Sequence, residues 1–305
     1  MTKLKTLIAI VGPTAIGKTC MGIKVANYFD TEIISADSRQ FYSEMSIGTA
    51  KPTVEELSQA KHHFINSTSI NELFSIGDFE TNALHVLDKI FATRNVAVLV
   101  GGSGMYVNAL LNGLDDMPEI DLSIREKLNI QLATEGIESI KSQLQEIDPE
   151  YFEQVDQYNP QRMIRGLEVF LSTGQKLSAL RSKTKKKRSF SVIKIGLNTD
   201  REKLYQQINK RVDEMMAAGL LSEVTSLKEF RQLNALKTVG YNELFEHLDG
   251  KISLEQAVTS IKQNTRRFAK RQLTWFRKDE EIHWFESNDQ PKIISFLNSA
   301  LANTN

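Results

Sequence analysis

Residues Gly12-Pro13-Thr14-Ala15-Ile16-Gly17-Lys18-Thr19 limit what this chain can fold into more than any other feature of it. A glycine, four residues and then Gly-Lys-Thr is the phosphate-cradling P-loop pattern, which works in one setting, between an apolar strand and a helix. Both flanks are present. Leu7 to Val11 is an unbroken apolar run that closes on Gly12-Pro13, and Lys18 through Phe29 is compatible with a helix. The glycines let backbone N–H groups turn inward around phosphate oxygens, Lys18 supplies a point charge, and Thr19 offers a hydroxyl to Mg2+. The expected ligand is a diphosphate or triphosphate.

The rest of the chain extends this strand-turn-helix unit. Glu32 to Ala36 reads as a second short strand ending at Asp37, and Asn95 to Val100 as a third, ending at Gly101-Gly102 before a helical stretch from Met105 to Leu111. Apolar strands alternating with helical patterns indicate a parallel sheet covered on both faces. Ligands of such sheets sit at the carboxyl ends of the strands, so Gly12 to Thr19, Asp37 and Gly101 to Ser103 should converge. From Asp121 to Ser182 the texture is helical, punctuated by Pro118, Pro149 and Pro160, and strand character returns at Ser191 to Leu197. Long helices are expected from Asp200 to Met216, ended by Gly219, and from Leu254 to Phe276. The expected fold is α/β: a P-loop NTPase-like parallel sheet flanked by helices, formed by residues 1–118 and 190–305, with an all-helical insertion at 119–189.

With 305 residues, 41% of them hydrophobic, the chain can build a sizeable core. Its apolar runs of about five residues fall far short of the roughly 20 that span a bilayer, so no membrane helix is expected. The stretch after Lys3 and Lys5 is too short for a signal peptide. A single cysteine, Cys20, cannot make an internal disulfide and suits a reducing compartment, so a cytoplasmic protein is expected. Cys20 itself reads as a small apolar filler at the start of the first helix, and Met215-Met216 as core. His62-His63 has no cysteine or third histidine at ligand spacing, which argues against zinc.

The P-loop does not choose a reaction. Nucleotide hydrolases of this type hold Mg2+ with an acidic residue that ends another strand, whereas Val96 to Val100 runs into Gly101-Gly102-Ser103 with no carboxylate. Asp37 is the one acid at a strand end beside the loop, and helix cap, metal ligand and general base all remain open for it. The net charge is zero but unevenly spread. Residues 101–160 carry 3 cations against 12 anions, and residues 161–305 carry 26 against 16. Residues 261–278 hold seven cations and no acid, interleaved with Phe268, Trp275 and Phe276, a pattern suited to phosphate backbones. The run Arg181 to Arg188, with six cations in eight residues, reads equally well as a solvated loop.

Taken in order, the motifs resemble those of the bacterial tRNA dimethylallyltransferases, the tRNA isopentenyltransferase family. The matching pieces are Gly12 to Thr19, Ser35 to Tyr42 continuing through Ile47 to Pro52, His62-His63, Gly101 to Tyr106, Asn159 to Arg165, Val239-Gly240-Tyr241 and Thr265 to Arg277. The resemblance implies transfer of a dimethylallyl group from dimethylallyl diphosphate to the N6 amine of the adenosine at tRNA position 37. The P-loop would then hold an isoprenoid diphosphate instead of ATP, with Mg2+ through Thr19. Asp37 matches the carboxylate that binds the amine and takes its proton, and Ser103 and Arg211 match positions that contact the departing diphosphate. The same resemblance sets Asp37, Ser38, Arg39 and Gln40, together with Gln161, Arg162, Met163, Ile164 and Arg165, against the anticodon loop. It sets Arg266, Arg267, Lys270, Arg271 and Gln272 at the tRNA-binding channel and gives the helical insertion the anticodon stem. A monomer is expected.

Two positions depart from the family pattern. Ser103 stands where threonine is usual, and Gln207 where many members carry arginine, one turn before Arg211. No Cys/His zinc extension of the eukaryotic kind follows residue 277. Two rivals remain: an ATP-dependent small-molecule kinase with Asp37 as metal ligand or base, and a non-catalytic RNA-binding P-loop protein. The glycine-ended third strand and the basic aromatic helix count against the first; intact Lys18 and Thr19 count against the second.

Overall fold

A computed structural model describes residues 4–181 and 184–303, so Lys3 and, within the basic run, Ser182 and Lys183 lie outside the described residues. The strands are β1 (Thr6–Val11), β2 (Ile33–Ala36), β3 (His62–His63), β4 (Val96–Gly101), β5 (Ser191–Asn198) and β6 (Ile282–Glu286). They form one sheet in the order β3-β2-β4-β1-β5-β6, and every neighbouring pair is parallel.

β1 shows why its run from Leu7 to Val11 is apolar without a break. Ile8 and Ile10 pack with Met21, Val25 and Ala26 of α1 (Lys18–Tyr28). Leu7, Ala9 and Val11 point the other way, against Phe79, Ala83 and Leu87 of the helix Ile76–Thr93 and Leu110 of the helix Gly104–Asn112. Side chains alternate across a strand, so one covered on both faces favours apolar residues at successive positions. Each of the larger of these side chains, the Val, Leu, Ile, Met and Phe, contributes about 1.5–3 kcal/mol by leaving water.

Register then fixes the site. Val11 lies opposite Gly101, and Gly101 opposite Ala36, so β1, β4 and β2 end at one level. The residues that follow them, Gly12, Gly102 and Asp37, emerge side by side. The convergence expected from the sequence is therefore a consequence of in-register parallel pairing.

The sheet belongs to one compact unit, Met1–Asn112 with Lys187–Asn305; Gly113–Lys186 forms another. The second unit packs the helices Leu122–Glu135, Ile137–Ile147, Pro149–Gln154, Pro160–Thr173 and Leu177–Leu180 around Ile140, Leu144, Tyr151 and Leu167. Asp148, a fully buried carboxylate like Glu168, accepts from the Ser178 hydroxyl (2.6 Å), the Ser178 N–H (2.9 Å) and the Tyr151 N–H (3.2 Å). Burial pushes its carboxyl up, but those bonds outweigh burial and leave it below the usual range. Met163 and Ile164 also belong to this core, 0% and 1% exposed. This corrects their assignment to an RNA-facing run: a helix packed on its neighbours shows only part of its circumference. Gln161 and Arg162 are exposed, and Arg165 is half-buried, its Nη1 donating to Glu168 at 3.3 Å.

Candidate active site

The ends of β1, β2 and β4 open into a cavity of about 780 Å³, lined by the P-loop from Thr14 to Thr19, by Asp37, by Gly101-Gly102 and by Arg211. Gly12 enters it with φ 148° and Gly17 closes the loop with φ 95°, conformations open to glycine. Ala15, at φ 66°, takes a left-handed conformation that costs a non-glycine residue roughly 1–2 kcal/mol, strain characteristic of ligand clamps. Lys18 curls back so that its Nζ donates to the Pro13 carbonyl at 2.7 Å. Burial drives its pKa down to about 7; Asp37 opposes that shift and Arg211 adds to it. Lys18 is half-buried beside the cavity, and among the described residues no carboxylate comes within ion-pair distance of its Nζ.

Asp37 ends β2. Its Oδ1 accepts from the Arg39 N–H at 3.0 Å in a local turn, and no helix begins there among the described residues, so the helix-cap reading falls. Burial raises its pKa, opposed by the Arg39 N–H and the Lys18 charge. Ser103 locks this turn to the one after β4, its hydroxyl accepting from the Ser38 N–H at 2.9 Å. Arg211 comes from the helix Arg201–Ala217; burial lowers its pKa while Glu214, Glu56 and Asp37 oppose the shift.

Gln272, grouped by sequence with the RNA-facing cations, turns inward and is 7% exposed. Its Oε1 accepts from the Thr14 N–H (2.8 Å) and its Nε2 donates to the Gly102 carbonyl (2.9 Å), stitching the P-loop to the β4 turn. A Cβ on Gly102 would lie 2.4 Å from that Nε2, so the stitch requires glycine. Gln40 is likewise engaged inside the protein, donating to the carbonyls of Thr49 (3.2 Å) and Ala50 (3.0 Å). Of the basic cluster, Arg267, Lys270 and Arg271 are exposed, and Arg266 is half-buried with Nη1 donating to Asn209 at 2.6 Å.

One wall has no counterpart in the sequence reading of site residues. Residues 46–57 line the cavity through Ile47, Thr49, Lys51, Val54, Glu56 and Leu57, among others. A single carboxylate positions the start of this wall. Glu223 accepts from the N–H groups of Ser46 (2.9 Å), Ile47 (2.7 Å) and Gly48 (3.0 Å) and from the hydroxyl of fully buried Tyr241 (2.6 Å). Lys51 donates to the Tyr42 carbonyl and to Asn66 Oδ1, and burial lowers its pKa to about 8. A signal existed for part of this wall: Thr53 and Glu56 form a capping box ahead of the helix Val54–Gln59. Cys20 is a correction too. It is exposed and lines the cavity, because α1 turns its first residues toward the phosphate side. His62 also lines the cavity, its Nδ1 bonded to the Ala60 carbonyl at 2.8 Å, with burial lowering its pKa toward the neutral ring.

The donor set suits Mg2+. Thr19 offers a hard oxygen ligand on the cavity, and Mg2+ characteristically takes one or two protein ligands while substrate phosphates and water supply the rest. Among the described residues no group of three or more His, Cys, Asp or Glu side chains forms a closed metal cage.

Residues 40–279 match the family model described as IPP transferase. The chain is 52% identical to the tRNA dimethylallyltransferase of Christiangramia forsetii, over 97% of this chain and 98% of that one, and 44% identical to tRNA dimethylallyltransferase 1 of Bacteroides fragilis, over 97% and 99%. The fold superimposes on the tRNA isopentenylpyrophosphate transferase of Bacillus halodurans with a TM-score of 0.73, at 35% identity over 98% of both chains. A eukaryotic dimethylallyltransferase studied acting on tRNA gives 0.83 at 25% identity, covering 98% of this chain and 80% of that one. A P-loop facing a strand-end aspartate, a fold shared over nearly full length and identities of this size lead to one conclusion: the chain belongs to the IPP transferase family, with the tRNA dimethylallyltransferases.

Proposed function

We propose that the protein transfers a dimethylallyl group from dimethylallyl diphosphate to the N6 amine of adenosine 37 in the anticodon loop of tRNA. The observation that carries this reading is the cavity itself, which sets the P-loop, Lys18 and Arg211 against the strand-end carboxylate of Asp37 and an apolar wall of Ile33, Ile47, Leu57 and Val100. An allyl chain attached to a diphosphate in the cradle finds apolar contacts on that wall.

In the reaction the N6 nitrogen bonds to C1 of the allyl group, the C1–O bond breaks, and diphosphate departs with the bonding electrons. The amine is a weak nucleophile because its lone pair is delocalised into the ring, so the main task is to stabilise the leaving charge. The P-loop amides, Lys18 and Arg211 do so. Burial disfavours the charged form of Lys18, and the negative charge of a diphosphate in the cradle favours it. Ser103 accepts from Ser38 and keeps its own proton to donate. Asp37 takes the N6 proton; its raised pKa makes it a stronger base than an exposed carboxylate. Mg2+, held through Thr19, supplies further positive charge to the diphosphate when bound. Bases of an unpaired loop can be splayed out at modest cost, which lets the adenosine reach a closed site.

The test is transfer of label to unmodified tRNA from dimethylallyl diphosphate and, in parallel, from ATP. Label from the isoprenoid at adenosine 37 is the expected result. Label from ATP alone, or tRNA binding with no transfer, would overturn the reading.

A further inference from the structure

The helix Leu254–Phe276 has a concavity on each side. Phe268 and Gln272 face the phosphate cavity, whereas Lys270, Leu273 and Thr274, with Arg277 just beyond, line a separate hollow of about 300 Å³. At 3.6 residues per turn the two sets occupy opposite faces. The hollow lies where Asn198 and Thr199 leave β5, and the start of the helix Arg201–Ala217 completes it with Arg201, Leu204 and Tyr205.

Its floor is apolar, formed by Leu204, 3% exposed, and half-buried Leu273. Its rim is cationic: Arg201, Lys270 and Arg277 are exposed, and among the described residues none of them forms an ion pair. The rim is also held in place. Arg201 Nε donates to the Tyr205 hydroxyl at 3.2 Å and its guanidinium lies 5.2 Å from the ring centre, while the Arg266 guanidinium lies 5.7 Å from the same ring. A tyrosine engaging two guanidiniums orders both without neutralising either.

An apolar floor inside a ring of unpaired cations matches a nucleotide, whose phosphate seeks the rim and whose base seeks the floor. A free inorganic anion would leave the floor unused. The hollow sits across a helix about 10–12 Å thick from the site where a base would react, a separation that a few nucleotides of single strand can bridge. The geometry points to a second RNA subsite: one unpaired nucleotide, neighbouring the reacting adenosine, binds with its phosphate among Arg201, Lys270 and Arg277 and its base on Leu204 and Leu273. This rests on the RNA substrate proposed above.

Two variants test it, Thr274→Trp, which fills the hollow, and Arg201→Glu, which reverses part of the rim. The probe is an unmodified anticodon stem-loop RNA, measured for affinity without donor and for transfer with it. Both variants should weaken RNA binding about tenfold, the scale of one lost base contact, and raise KM for RNA alike. KM for the donor and kcat at saturating RNA should stay unchanged, which also certifies the fold. A scan of single abasic positions should find one loop position where the wild type loses affinity and Thr274→Trp loses nothing more. Wild-type RNA affinity in both variants, or the same abasic profile in wild type and Thr274→Trp, would overturn the subsite. Should the wild type bind RNA through the hollow yet transfer no isoprenoid, the reaction is wrong and the subsite stands.

Discussion

Burial of the Lys18 ammonium leaves a mark on stability that can be read by titration. The unfolded chain keeps Lys18 protonated up to its ordinary value of 10.5, whereas the folded protein releases that proton above about 7. Between those values the unfolded state binds more protons, so this group's contribution makes stability rise with pH across the window. Lys18→Met should therefore melt at a higher temperature than the wild type at pH 7 and below, with the gain fading toward pH 10, while transfer falls about 10²-fold or more. Thermal unfolding on either side of the window checks it, and a variant less stable at every pH would contradict it. For Asp37→Asn the expected loss in kcat is about 10²-fold or more with donor affinity retained, measured by steady-state kinetics and donor binding. Equal loss of donor affinity would make Asp37 a metal ligand. These residues were legible because they lie in or beside one contiguous motif. Gln272 was not: its inward turn comes from contacts with Thr14 and Gly102, which no local spacing encodes.

Elements that carry long apolar or uninterrupted patterns were the ones the sequence revealed. β1, β2, β4 and β5 came through as apolar runs, and the helix Leu254–Phe276 has the limits that its lack of Gly and Pro implied. β3 pairs through two residues and β6 is a five-residue edge strand with a half-exposed face, so neither stands out from a loop. The wall at residues 46–57 escaped for a different reason. Its shape is set by Glu223 and Tyr241, far along the chain, which meet it only in the folded state. Glu223→Ala leaves three loop N–H groups and one buried hydroxyl without their acceptor, and should destabilise the protein by about 1–3 kcal/mol while raising KM for the donor. Tyr241→Phe removes one donor of the four and should cost about 1 kcal/mol. Urea unfolding of the two variants checks the order, and equal stabilities would show that the clamp does not hold the wall.

At the scale of the whole molecule, a formally neutral chain concentrates cations late in its sequence, with Arg267, Lys270 and Arg271 exposed on one helix. Such a surface binds RNA with a salt dependence that net charge would not suggest, and removing two of these cations should flatten the slope of log K against log salt by about 0.7 per lost phosphate contact. Titration of RNA binding over a range of salt concentrations measures it; an unchanged slope would take those cations off the RNA path. The central claim, that a diphosphate cradle and a strand-end carboxylate face each other across one reaction, is tested most directly by a crystal structure with an unreactive donor analogue and an anticodon stem-loop. The account predicts the diphosphate on the P-loop amides and the Asp37 carboxylate within hydrogen-bond reach, about 2.6–3.2 Å, of the adenosine N6. An isoprenoid bound away from the P-loop, or an adenosine remote from Asp37, would contradict it.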